Sequence, residues 1–291
     1  MTPARRRAKA ARACALLVAA LLAACGSAPP EPSAAEREAV GYNQRAARAL
    51  RAGRIDDART LYQAALRVDR SVENADGIAV NLLALARVEQ AAGKLAAAQA
   101  HLDAVLDDAP LALPRARKAE AAARRALFAF DAGDIARATD WSKRAEDLCM
   151  PAVCAARAAI TNLRARAALA SGDVAGARLL ARRALDSASG AGPADDPRVE
   201  RANANRIIGE AALALRDGRS ATPALSEALA LDRALGRPDR IWKDLMLLAR
   251  AVELGGDRNG ARAHYRRAIE VATAAGDAAG VQEARKRLDT H

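Results

Sequence analysis

Small residues return at fixed distances along this chain, and that recurrence limits the possible folds more tightly than any other feature. Ala46, Ala86, Ala126, Ala165, Gly209 and Ala249 form one column. Ala58, Ala98, Ala138, Ala177, Ala221 and Ala261 form a second, and Ala65, Val105, Ala145, Ala184, Ala228 and Ala268 a third. Successive copies lie 40, 40, 39, 44 and 40 residues apart, while the columns stay 12 and 7 residues from one another in every copy. A period of this length describes one supersecondary unit that buries its apolar face only against its neighbours. Within a copy, Ala261, Tyr265 and Ala268 fall at i, i+4 and i+7, on one face of a helix. A glycine marks the break between the two helices of a unit at Gly53, Gly93, Gly133, Gly172 and Gly256; Arg216 takes that place in the fifth copy, with Gly218 following. Abundant alanine, 2% aromatic residues, and glycine and proline confined to short clusters exclude strands and predict an all-α chain.

The columns resemble the tetratricopeptide repeat, in which small residues let helix A sit against helix B and a bulkier residue between them fills the next gap. Tyr62, Leu102, Leu225 and Tyr265 supply the bulk, whereas Ser142 and Ala181 depart from the pattern in the third and fourth units. The resemblance implies a right-handed superhelical solenoid of about six helix pairs over residues 38–276, closed by a capping helix over 277–291. The usual period of that repeat is about 34 residues. Gly192, Gly236 and Gly276 each follow the third column by eight residues, which places the surplus in a lengthened second helix with a glycine cap and in its exit loop. The clusters beginning at Gly190 and Gly236 read as turns between units.

At the N-terminus, Arg5, Arg6, Arg7, Lys9 and Arg12 precede an apolar run from Ala13 to Ala24. The run is too short to span a bilayer as a helix and has signal-peptide proportions. It ends in Leu22-Ala23-Ala24-Cys25-Gly26-Ser27, which resembles the lipobox of bacterial lipoproteins. The resemblance implies that residues 1–24 are removed and that Cys25 becomes the first residue, carrying a diacylglyceryl group. Gly26, where aspartate would signal retention, implies export to the periplasmic side of an outer membrane, or the outer face of the plasma membrane in a source with one membrane. Several acyl chains, at about 0.8 kcal/mol per buried methylene, anchor a protein essentially permanently. Residues 25–37, rich in proline, read as a tether reaching about 30 to 40 Å. The formal charge of +11 falls to about +6 once the five cations of the leader are removed, and modest charge and compartment together argue against a nucleic-acid partner.

Motifs for catalysis are absent. There is no phosphate-cradling glycine loop, no His-Glu-x-x-His and no serine elbow. His101, His264 and His291 are the only histidines, and none has a second ligand at helical spacing, so no metal is expected; the first two read as solvent-facing on second helices. The chain is expected to be non-enzymatic and without cofactor beyond the lipid on Cys25. Cys14 leaves with the leader. Cys149 and Cys154 flank Met150-Pro151-Ala152-Val153, with Pro151 placed to start the next helix, and form a candidate disulfide; the alternative is two reduced buried thiols.

The family resemblance places Asn43, Arg87, Asn162, Arg166, Arg206 and Arg250 on the concave side, where the first helices line a groove for peptides or helices. Several guanidinium groups there suit acidic peptides or a carboxylate terminus. The alternative is that so arginine-rich a chain displays arginine on every exposed surface. Trp141, Trp242, Tyr42, Phe128 and Phe130 read as packing residues rather than binding anchors. The leading expectation is a tethered adaptor that gathers envelope proteins or peptides. Alternatives are an accessory factor for an envelope enzyme such as a peptidoglycan enzyme, an assembly factor for a pilus or secretion secretin, and an unrecognised enzyme whose mark would be a deep pocket of convergent polar groups.

Overall fold

The computed structural model describes residues 31–107, 110–150, 154–189 and 196–290. The leader, Cys25, Pro151, residues 190–195 with Gly190 and Gly192, and His291 lie outside them. Thirteen helices occupy the described residues, with no strand among them. They are α1 Ala34–Arg51, α2 Ile55–Ser71, α3 Ala75–Ala91, α4 Leu95–Leu106, α5 Arg115–Asp131, α6 Ile135–Cys149 and α7 Arg157–Ala170. The remainder are α8 Val174–Ser189, α9 Arg198–Ala214, α10 Gly218–Ala234, α11 Pro238–Leu254, α12 Arg258–Ala274 and α13 Ala278–Asp289.

All three columns of small residues are buried in every copy, because each marks a helix crossing where a larger side chain would hold the backbones apart. Gly209 shows the constraint at its tightest: a Cβ there would lie 2.4 Å from Leu225 Cγ. Each helix packs against the next, and the odd-numbered helices also touch one another in succession from α1 to α13. No two even-numbered helices touch among the described residues. An array in contact along one layer and splayed along the other curves toward the contacting layer, so the odd helices form the inner face.

Two corrections concern boundaries. The first helix begins at Ala34, not beyond residue 37, because Ser33 and Glu36 form a capping box: the Ser33 hydroxyl accepts from the Glu36 N–H and the Glu36 carboxylate accepts from the Ser33 N–H. The surplus over a shorter repeat is shared by both helices, since α9, α10, α11 and α12 all have 17 residues. The third and fourth units keep the fold despite Ser142 and Ala181. Ser142 is buried with its hydroxyl donating to the Thr139 carbonyl at 2.8 Å, and around Ala181 the core shrinks to a small cluster with Ala165, Ala177 and Ile207.

The turn glycines all adopt positive φ, from +72° at Gly53 to +90° at Gly256, and Arg216 adopts +58° in the same place. A left-handed residue with a Cβ costs roughly 1 to 2 kcal/mol, part of which glycine recovers. Arg216→Gly is therefore expected to raise stability by about 0.5 to 1 kcal/mol. A thermal melt beside the wild type measures it, and an unchanged or lowered midpoint contradicts the strain argument.

Candidate peptide-binding groove

The inner helices α5, α7, α9 and α11, with α13, line a half-open cavity of about 930 Å³. Its apolar lining comes from Leu127, Leu163, Ile207, Trp242, Met246 and Leu247. Its cationic lining comes from Arg117, Arg124, Arg166, Arg206, Arg240, Lys243, Arg250 and Arg287, set against Glu120, Glu200, Glu210 and Glu283. Asn162, Arg166, Arg206 and Arg250 thus converge on one site. Asn43 on α1 and Arg87 on α3 belong to the inner layer but do not line this cavity.

Two of the converging residues are already engaged. Arg206 is buried, donating from Nε to Asp244 at 2.6 Å, from Nη1 to Asn203 at 3.0 Å, and from Nη2 to Asp232. It is a strut between α9, α10 and α11 rather than a free donor, which corrects the sequence expectation. Asn162 likewise spends its amide N–H groups on the Glu200 carbonyl at 2.9 Å and carboxylate at 2.8 Å. Burial opposes the Arg206 charge, but the hydrogen bond and attraction to Asp244, then the attraction of Asp232, hold its pKa above the usual value. Asp244 is pushed up to about 6, chiefly by burial; the Arg206 hydrogen bond pulls it back and the Asp232 charge adds to the rise.

Other guanidinium groups around the cavity remain accessible. Arg117 pairs with Asp76 at 2.8 Å and Arg124 with Glu120 at 3.0 Å, each on partly exposed surface. Arg166 lies over the Phe130 ring at 4.2 Å. Arg250 and Arg287 are exposed and have no ion-pair partner among the described residues. Trp242 is buried, its indole N–H donating to Asp277 at 3.0 Å, which ties α13 to α11. Phe128 is buried; Phe130, Trp141 and Tyr42 are half-buried with arginines above their rings.

The histidines differ from expectation: His101 and His264 are half-buried, and burial lowers the pKa of both. No group of three His, Cys, Asp or Glu side chains placed to hold a metal occurs among the described residues.

A disulfide joins Cys149, the last residue of α6, to Cys154 beside the rim of the cavity, with both residues buried. Arg115 of α5 donates to the Asp147 carbonyl at 2.9 Å and the Met150 carbonyl at 3.3 Å, bracing the same loop. The next helix starts at Arg157, later than the Pro151 start read from the sequence. Changing both cysteines to serine is expected to cost about 2 kcal/mol, the chain-entropy value for so short a loop. Urea unfolding with and without a dithiol checks this: reductant lowers the wild-type midpoint to that of the variant and leaves the variant unmoved.

The sequence reading missed Glu210 and the buried Asp69, Asp232 and Asp244. Asp69 and Asp232 both stand four residues after the third column, and Cys149 occupies the same place in its unit. At the first junction Asp69 accepts from Asn74 and Asn81 at 2.8 and 2.7 Å. One repeat position therefore serves a junction three times: Asp69 by hydrogen bonds, Cys149 by a covalent bond, and Asp232 indirectly, through Arg206 of its own unit, which also holds Asp244 of the next.

Residues 37–110, about a quarter of the chain, match the family model described as tetratricopeptide repeat. No curated protein matches the sequence. The fold is similar to that in the crystal structure of the APC/C hetero-tetramer Cut9-Hcn1, at 15% identity and TM-score 0.67, over 86% of this chain and 42% of that one. It is similar to a Rap protein complexed with Competence and Sporulation Factor, at 15% identity and TM-score 0.57, over 87% and 75%. It is also similar to pilF of Pseudomonas aeruginosa, at 14% identity and TM-score 0.58, over 88% and 100%. The chain thus spans less than half the length of the first of these. It carries a tetratricopeptide-repeat match at its N-terminal end and has, over its described helices, the all-α solenoid fold of tetratricopeptide-repeat proteins.

Proposed function

We propose that the protein is a non-catalytic scaffold of the bacterial cell envelope, anchored through lipid on Cys25, that gathers other proteins or peptides on its inner face. The cavity carries this reading: it is concave, has apolar side chains in its lining, and holds guanidinium groups at Arg166, Arg250 and Arg287 that make no close ion pair among the described residues. Such a surface fits an acidic protein segment. The lipobox-like ending at Cys25 supports the anchor, and the short tether that follows keeps the solenoid near the membrane. The lipid on Cys25 is the sole non-protein group in this reading.

Crosslinking and affinity capture from intact cells test it. Wild type is expected to retain a defined envelope protein, and Arg166→Glu with Arg250→Glu to lose at least about tenfold of it, since each reversal replaces an attraction with a repulsion. Undiminished capture by the double variant removes the cavity from the reading. Cys25→Ser is expected to abolish acyl labelling and membrane retention, and unchanged labelling removes the anchor.

A further inference from the structure

We propose that the cavity selects extended segments of mixed charge, in which a cationic side chain is flanked three residues away on each side by a carboxylate, over segments that are acidic throughout. The inference rests on the reading of the cavity as a site for protein segments, and adds what those segments look like.

Arg166, Glu210 and Arg250 hold the same repeat position, one residue after the first column, on the successive inner helices α7, α9 and α11. Leu127 on α5 continues the row, and all four side chains line the cavity. A segment crossing the inner face therefore meets an apolar side chain, a cation, an anion and a cation in order.

Glu210 is available for such contact. It is half-buried, and burial raises its pKa although Arg206, Arg166, Arg250 and Arg240 all pull the other way. Three of these guanidinium groups are directed elsewhere, Arg206 to Asp232 and Asp244, Arg240 to Asp239 at 3.4 Å, and Arg166 to the Phe130 ring, while Arg250 attracts Glu210 without bonding to it. Glu210 makes no hydrogen bond or ion pair among the described residues. A carboxylate withdrawn from water without a donor is costly, and a charged donor relieves it best. A carboxylate arriving at the same point adds repulsion instead.

The spacing of the row matches that of an extended segment. Packed helices lie about 8 to 10 Å apart, which sets the distance between successive groups in the row. A polyproline II segment has three residues per turn and a rise of about 3.1 Å, so residues i and i+3 share one face about 9.3 Å apart. A segment reading Glu-x-x-Lys-x-x-Glu therefore sets its carboxylates against Arg166 and Arg250 and its ammonium against Glu210.

Three fluorescein-labelled peptides test this by anisotropy on the full chain at low salt: Glu-Pro-Pro-Lys-Pro-Pro-Glu, Glu-Pro-Pro-Glu-Pro-Pro-Glu and Lys-Pro-Pro-Glu-Pro-Pro-Lys. The first is expected to bind about tenfold more tightly than the second, the share of one charge-assisted pair, and the third to bind worst. Glu210→Lys is expected to reverse the order of the first two. The isosteric Glu210→Gln, which keeps the side-chain volume if the lysine variant folds poorly, is expected to erase the preference. If the all-acidic peptide binds wild type as well as the mixed one, and Arg166→Ala with Arg250→Ala weakens both, the selectivity is wrong while the cavity reading stands. If no peptide binds wild type or variants, or if the arginine variant changes nothing, this inference and the cavity reading fall together.

Discussion

Arg206→Met is expected to destabilise the protein by about 3 to 5 kcal/mol at neutral pH, the cost of leaving buried charge without its partner. Asp232 and Asp244 both have 0% side-chain exposure, so neither can turn to water when the guanidinium is gone. Methionine fills similar space, which separates the electrostatic loss from a packing defect. The loss is expected to shrink in acid. Asp244 titrates near 6 in the folded protein, above the ordinary carboxylate value near 4 of an unfolded chain. The folded state therefore binds that proton more readily, and the contribution of the group is fully present below about pH 4 and lost as pH rises through about 6. Removing Arg206 takes away the hydrogen bond and attraction that pull Asp244 down and so raises it further, and wild type and variant converge as a proton replaces the missing cation. Urea midpoints at pH 7.5 and pH 5 measure the effect; an equal gap at both values contradicts it.

Tyr265→Ala is expected to be comparably severe, at about 3 to 5 kcal/mol, for an unrelated reason. Tyr265 is fully buried on α12 between Ala261 and Ala268, and those alanines cannot close over the space it leaves. Because units couple only to their neighbours, the damage should concentrate in α11, α12 and α13 rather than spread evenly. Amide hydrogen exchange checks this. Protection should fall in α12 and α13 while α3 and α4 keep theirs, and uniform loss along the chain contradicts the nearest-neighbour account.

How far the sequence could be read depended on whether a residue type had one physical role or several. Alanine in a fixed column has one, close helix approach, and every member of the three columns is buried. A residue between two helices of a unit must turn the chain, so Arg216 could be placed with the glycines and shares their positive φ. Arginine has several roles, and the pattern alone did not separate them. Arg166 and Arg250 face the cavity, whereas Arg206, four residues before Glu210 on the same helix, is consumed by two aspartates that lie 26 and 38 residues further along. Asp232 could have been suspected, because it falls in a column where Asp69 and Cys149 also occur. Glu210 was legible in the same way, as the one acid in a row otherwise held by Arg87, Leu127, Arg166 and Arg250 over those units.

The succession of touching inner helices has a consequence for how the molecule comes into being. Every helix–helix contact among the described residues joins elements that are adjacent or next but one in the chain. Loop closure between distant segments, the slow and entropically expensive part of forming most tertiary structure, is never required. The search is therefore short: once two neighbouring units have met, each further unit docks onto a finished edge, and growth can proceed from either end.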